Sequence, residues 1–99
     1  MNGKEKEIRE AVALQYRSEI HSAPVVKAKG KGEVAERIIE KALEANVPIQ
    51  KDRDLVALLG QLNINETIPE ELYAAVAEVF AFIYRLDQSF ENEQKNIFK

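Results

Sequence analysis

The sequence predicts a small α/β domain of the α+β type, with a mixed sheet of three to four strands that contains one βαβ unit and is packed by about three to four helices. Short apolar runs bounded by turn residues lie at 11–16 and 25–29, which is typical of buried strands. Apolar residues at helical spacing follow at 34–43, and the segment around Pro48 indicates a further short strand. A chain of 99 residues has room for one such domain.

The first strand is expected at the run AVALQY, residues 11–16, after a charged lead-in over residues 1–10. The second strand is expected to begin at Pro24, because a strand start tolerates the missing amide hydrogen of proline, and to end at Gly30. We expect the single folded domain to span residues 11–88.

An amphipathic helix is predicted to begin after Gly32. It should end at Asn46 in a left-handed conformation, because Pro48 cannot continue a helix and also restricts Val47. A short strand at 47–50 then completes a right-handed βαβ unit with parallel strands. The predicted apolar face of this helix consists of Val34, Ala35, Ile38, Ile39, Ala42 and Leu43.

Two more helices are predicted in the second half of the chain. Asp52 is placed to cap a short helix that extends to Leu62. The last helix should begin at Pro69, which is favourable at a first helical position, and run to about Asp87. Residues 89–99 are mostly polar and predict a loose C-terminal tail, in which only Ile97 and Phe98 are suited to dock on the domain.

The last helix carries more apolar surface than one core requires. At a helical repeat of about 100° per residue, one apolar stripe forms the expected core face and a second stripe lies beside it. Either the sheet and the neighbouring helix cover both stripes, or part of the second stripe is exposed as a docking surface for a partner. The core stripe contains Leu72, Val76, Val79, Ile83 and Leu86, and the second stripe contains Tyr73, Ala77, Phe80 and Tyr84.

The composition excludes several classes of function. Fourteen basic against 17 acidic side chains give a net charge of −3, which disfavours binding to nucleic acid. The sequence has no cysteine, no signal peptide and no apolar run long enough to cross a membrane, so we expect a cytoplasmic chain. His21 is the only histidine and is expected in a turn with a solvated ring. We therefore expect no metal site, no cofactor and no catalytic residues.

The loop Gly30-Lys31-Gly32 matches the start of a dinucleotide-binding fingerprint, with Ala35 at the last position and Asp52 twenty residues beyond Gly32. Lys29 and Lys31 add positive charge, so anion binding at the loop is physically reasonable. However, the dinucleotide fold needs several parallel strands around a switch point, and this chain has room for one βαβ crossover. The favoured interpretation is that the glycines permit a tight turn between strand and helix.

Four segments together carry a resemblance to a known family: AVALQY, SAPVVKAKGKGEVAERI, VPI and IPEELYAAVAEVFAFIYRL. In this order and spacing they resemble the cytoplasmic domain of the FlhB/YscU/SpaS family, the switch proteins of flagellar and injectisome type III export. The resemblance extends from Ala11 to Leu86. It implies a small mixed sheet packed by helices, in agreement with the prediction from the residues.

Two departures from the family pattern bear on function. Family members carry a membrane domain before this region, which we expect this protein to lack, and they cleave themselves within the motif Asn-Pro-Thr-His. The present sequence has Lys6-Glu7-Ile8-Arg9 at those positions, so the asparagine nucleophile is missing and no self-cleavage is expected. The chain thus looks like the C-terminal cleavage product made directly as a separate product.

The resemblance also implies a substrate-docking patch that uses part of the second stripe. By position, the family patch corresponds to Ala23, Pro24, Ala77 and Phe80, beside which lie Tyr73 and Tyr84 of the same stripe. We expect a monomeric, non-enzymatic accessory component of the flagellar export apparatus, cytoplasmic or peripheral at the membrane-embedded machinery. Its expected partners are export substrates, the hook-length ruler protein and export-gate components. The alternative is a small nucleotide- or anion-binding domain that uses Lys29 and the loop Gly30-Lys31-Gly32.

Overall fold

The computed structural model describes residues 9–17, 23–77 and 93–99. Within these ranges, four strands and three helical segments form an α+β fold, as the sequence predicts. The strands are β1 (Glu10–Arg17), β2 (Val25–Lys31), β3 (Ile49–Gln50) and β4 (Glu93–Phe98). The helices are α1 (Glu33–Glu44), α2 (Arg53–Leu59) and α3, which begins with a 3-10 turn at Glu70–Leu72 and is described as α-helix over 73–77. The predicted end of α3 near Asp87 lies outside the described residues.

The sheet has the strand order β2-β1-β4-β3. β1 runs antiparallel to both of its neighbours, and β3 runs parallel to β4. β2 and β3 therefore point in the same direction, as a βαβ unit requires. The prediction that the strands on either side of α1 are parallel is confirmed. They are not adjacent, however, because β1 and β4 lie between them.

The prediction of a loose tail is wrong for residues 93–98, which form β4, one of the two central strands of the sheet. Ile97 and Phe98 are the two tail residues that the sequence indicates as suited to dock, and both are buried. Successive side chains of a strand point to opposite faces of the sheet, so these two residues enter two different cores. The residues that precede them are polar. A polar segment ordinarily indicates exposure, so the sequence does not indicate a buried strand here.

The two faces of the sheet have separate cores, because α1 covers one face while α2 and α3 cover the other. Phe98 lies in the core under α2 and α3, and Ile97 lies in the core under α1. The α2/α3 core contains Val12, Leu14, Ala23, Val26, Leu55, Val56, Leu59, Ile68, Val76 and Phe98. The α1 core contains Ala11, Ala35, Ile39, Ala42 and Ile97.

The predicted end of α1 is confirmed in detail. Asn46 adopts a left-handed conformation with φ of 60°. The Val47 amide donates to the Ala42 carbonyl oxygen (2.8 Å) and the Asn46 amide donates to the Leu43 carbonyl oxygen (3.3 Å). This pair of bonds is the Schellman motif, which satisfies carbonyl groups that the helix end leaves without partners.

The predicted start of α2 is also confirmed. The Asp52 carboxylate accepts a hydrogen bond from the Leu55 amide (3.0 Å), which is the expected N-cap interaction. The helix ends at Leu59, three residues before the predicted Leu62, and Gly60 follows it.

The loop between α2 and α3 pairs with the outer edge of β2 and fixes the position of α3. The Val26 amide donates to the Glu66 carbonyl oxygen (3.0 Å), and the Asn65 amide donates to the Val26 carbonyl oxygen (2.6 Å). The Ile68 amide donates to the carbonyl oxygen of Pro24 (2.9 Å). These bonds cover an otherwise free strand edge and place the first turn of α3 beside the start of β2.

Replacement of Phe98 by alanine tests whether β4 is part of the core. Phe98→Ala should lower the free energy of unfolding by about 3 to 5 kcal/mol, because it leaves a cavity under α2 and α3. Leu43→Ala is the control, since Leu43 is 63% exposed on α1 and its loss should change stability by no more than about 0.5 kcal/mol. Urea unfolding followed by circular dichroism measures both. Equal, small effects of the two substitutions would show that residues 93–98 are a loose tail.

Candidate functional site

The second apolar stripe of α3 is exposed at its first two members. Tyr73 is 42% exposed, and Ala77, one helical turn further, is also exposed. Val76 of the core stripe is fully buried, and Leu72 is half-buried against the α2/α3 core. The sequence leaves open whether the second stripe is covered or exposed, and the structure shows that it is exposed at Tyr73 and Ala77.

The remaining predicted docking residues do not all share this surface. Ala23 is 3% exposed and packs in the same core as Val76, so its methyl group is not available to a partner. Pro24 is half-buried beside the start of α3, where its carbonyl oxygen accepts the bond from Ile68. Phe80 and Tyr84 lie outside the described residues, as does His21.

We define the candidate docking surface, called the docking surface below, as Pro24, Tyr73 and Ala77. Glu70 is exposed in the first turn of α3 and lies three residues before Tyr73, on the same side of the helix, so this surface has an acidic residue at its border. An exposed aromatic ring near an acidic group favours a partner segment that combines an apolar residue with a basic neighbour.

Lys29 of the predicted anion-binding loop is engaged elsewhere. Its ammonium group donates to the carbonyl oxygens of Gly60 (3.1 Å) and Leu62 (2.7 Å), at the C-terminal end of α2. A cation at that position satisfies carbonyl groups of the helix end and complements the helix dipole. The charge that the alternative hypothesis would use to bind an anion thus connects β2 to the end of α2.

The two glycines of the loop serve the turn from β2 into α1. A side chain at Gly30 would collide with Val34, whose Cβ atom lies 2.7 Å from the position of an added Cβ. Gly32 has φ of 62° and ψ of −126° at the N-cap of α1, a conformation that other residues rarely adopt. The acidic side chains of Glu33 and Glu36 occupy the first turn of α1, where a phosphate group would have to bind.

The other two members of the dinucleotide fingerprint also have structural roles. Ala35 is buried in the α1 core, and the Asp52 carboxylate caps α2. The structure therefore gives no support to nucleotide binding at this loop.

The described ranges contain no group of three or more histidine, aspartate or glutamate side chains placed to hold a metal ion. In those same ranges, none of the helices has the length and apolar character needed to cross a membrane.

Comparison with known proteins gives a consistent assignment. The sequence profile of the FlhB HrpN YscU SpaS Family matches residues 8–83, which include β1, β2, β3 and both complete helices. The chain is 53% identical over 87 residues to the uncharacterized protein YlqH of Bacillus subtilis (strain 168), a match that covers 88% of this chain and 94% of YlqH.

Two longer relatives are named flagellar biosynthetic protein FlhB. The match to FlhB of Escherichia coli (strain K12) is 49% identical over 77 residues and covers 77% of this chain and 20% of that protein. The match to FlhB of Bacillus subtilis (strain 168) is 37% identical over 79 residues and covers 79% of this chain and 22% of that protein. The chain thus corresponds in length to most of YlqH but to a small part of either FlhB.

The role of Lys29 can be separated from anion binding by mutation. Lys29→Ala should lower the free energy of unfolding by about 1 kcal/mol, because the carbonyl groups at the end of α2 lose a charged donor. Lys31→Ala, at an exposed position of the same loop, is the matched control and should have little effect. Thermal unfolding with and without phosphate or NAD measures both. Stabilisation of the wild-type protein by either ligand, abolished in Lys29→Ala, would show instead that the loop binds anions.

Proposed function

The chain belongs to the FlhB HrpN YscU SpaS family, and on that premise we propose that it is a non-enzymatic accessory component of the flagellar type III protein export apparatus that binds export substrates or export-gate components. The family assignment supports a place in export, since two relatives of known name are flagellar biosynthetic proteins. The match covers 20% of FlhB from Escherichia coli, so binding to a partner is proposed here and the activity of a whole FlhB is not.

The exposure of Tyr73 and Ala77 is the observation that carries the proposal. Both residues lie in the segment IPEELYAAVAEV, within the matched residues 8–83, and neither is needed to fill the core that Val76 occupies. Tyrosine is enriched at protein interfaces because it provides a large apolar area and a polar hydroxyl group with few rotatable bonds. We propose that the docking surface receives the apolar residue of a partner segment whose basic neighbour pairs with Glu70.

The proposed partners are early flagellar export substrates, the hook-length ruler protein and cytoplasmic parts of the export gate. Binding would take place as a monomer, in the cytoplasm or peripherally at the export apparatus. Nucleic acid is not a proposed partner, because the net charge of −3 provides no basic field.

Self-cleavage is not part of the proposed function. The sequence has Lys6-Glu7-Ile8-Arg9 where family members carry Asn-Pro-Thr-His, so it lacks the asparagine side chain that would attack the backbone. The purified chain is therefore expected to keep one intact mass on storage, and a truncated C-terminal fragment in the mass spectrum would contradict this.

Two substitutions on the docking surface test the proposed binding. Tyr73→Ala removes the exposed ring, and Ala77→Glu places a charge one turn away. Each should weaken binding to flagellar rod and hook subunits or to the hook-length ruler protein at least roughly tenfold, or about 1.4 kcal/mol. Isothermal titration calorimetry with purified subunits measures the affinity. Binding should also weaken as salt is raised, because the proposed pairing of a basic residue of the partner with Glu70 is screened.

Stability measurements on the same variants separate binding from folding. Tyr73→Ala and Ala77→Glu should change the free energy of unfolding by no more than about 0.5 kcal/mol, since both sites are exposed. Val76→Ala is the contrasting variant, because it removes buried methyl groups and should destabilise the α2/α3 core. Unchanged affinity in both surface variants, or a wild-type chain that binds none of these proteins, would overturn the proposal.

A further inference from the structure

β4 fits its place in the sheet imperfectly at Asn96. This side chain is 0% exposed, and within the described residues neither its Oδ1 nor its Nδ2 atom has a hydrogen-bond partner. Asn96 faces Leu14 on β1 and lies on the side of the sheet that carries the α2/α3 core. A buried amide without hydrogen bonds is unfavourable, and most buried polar side-chain atoms in proteins do have partners. This central strand of the sheet therefore contains an uncompensated polar group.

The strand with this defect lies outside the family match, whereas both of its neighbours lie inside it. The match covers residues 8–83, which include β1 and β3 but not β4 at Glu93–Phe98. We call the gap between β1 and β3 the strand slot. β4, which fills the slot, thus lies outside the residues that match the family, whereas β1 and β3, which border the slot, lie within them.

The slot offers backbone bonds that do not depend on the sequence of its occupant. The Ile97 amide donates to the Pro48 carbonyl oxygen (3.0 Å), and the Lys99 amide donates to the Gln50 carbonyl oxygen (3.0 Å). On the other side, β4 pairs with β1 from Val12 to Arg17. Any extended segment in the correct register can form these bonds, which is the physical basis of recognition by strand addition.

We propose that the strand slot is a binding site for an extended segment of another protein, and that this segment can displace β4 from the slot. The segment would run antiparallel to β1 and parallel to β3. It would carry apolar residues at the positions of Ile97 and Phe98, one for each core, and an apolar residue in place of Asn96. This site is separate from the docking surface on α3, and the proposal does not depend on the function proposed for that surface.

The position of Asn96 favours a different protein over a second copy of this chain. Exchange of β4 between two copies would bury the same amide in each slot, so the polar defect would remain. A segment with leucine at that position would fill the slot without an unpartnered amide, and would therefore bind more tightly than β4 itself.

Competition with synthetic peptides tests the proposal on the intact chain. One peptide copies residues 93–99, a second carries the change Asn96→Leu, and a third has the composition of the second in scrambled order. Fluorescence anisotropy should show that the Asn96→Leu peptide binds at least roughly tenfold more tightly than the native peptide, a difference of about 1.4 kcal/mol. Hydrogen exchange measured by mass spectrometry should show faster exchange of the chain's own residues 93–99 when this peptide is bound, with β2 still protected.

A variant of the chain supplies the reciprocal test. In the Asn96→Leu protein, β4 no longer carries the buried amide, so the hydrogen exchange of residues 93–99 should slow. The affinity of this variant for the Asn96→Leu peptide should fall at least roughly tenfold. If that variant does not fold, the peptide experiments on the wild-type chain still decide the matter. Equal binding of the three peptides, or no binding, would overturn the proposal. A strand-exchanged dimer of the wild-type chain, detected by light scattering, would overturn the choice of a different protein as the occupant.

Discussion

The insertion of β4 between β1 and β3 is the interaction on which the rest of this fold depends. It provides the only neighbour of β3 within the described part of the sheet, and it joins β3 to the antiparallel pair β1 and β2. Because Ile97 and Phe98 point to opposite faces, the same two residues complete both cores. The crossover from β2 through α1 to β3 spans two intervening strand positions, which β1 and β4 fill.

The position of the candidate docking surface is set by contacts at the other edge of the sheet, along β2. There the loop before α3 pairs with β2, and the bond from Ile68 to Pro24 sets where the helix begins. With Val76 turned into the core, the geometry of a helix leaves Tyr73 and Ala77 toward solvent. The family assignment and this exposed pair are separate observations, and the proposed function rests on both.

The features that the sequence could predict depend on short-range interactions. Asn46 with Pro48 two residues later indicates the end of α1, and Asp52 caps an amide only three residues away. The features that it could not predict depend on residues distant in the chain. Lys29 bonds to carbonyl groups more than thirty residues away, and β4 pairs with β1 across most of the sequence.

The same distinction applies to the candidate site. Helical periodicity, which is local, assigns Val76 and the pair Tyr73 and Ala77 to different stripes of α3, but it leaves open whether the second stripe is exposed. The burial of Ala23 could not be predicted, because it arises when α3 packs over the start of β2. Asn96 has no sequence signal at all, since its burial follows only from the placement of β4.

Nuclear Overhauser contacts between the backbone protons of β1 and β4 in the isotopically labelled chain test this account most directly. It predicts cross-strand contacts at the pairs Val12 with Phe98, Ala13 with Ile97, and Leu14 with Asn96, together with strand-like chemical shifts over residues 93–98. Random-coil shifts for these residues, with no contacts to β1, would contradict it, because the sheet would then lack the strand that unites its two cores.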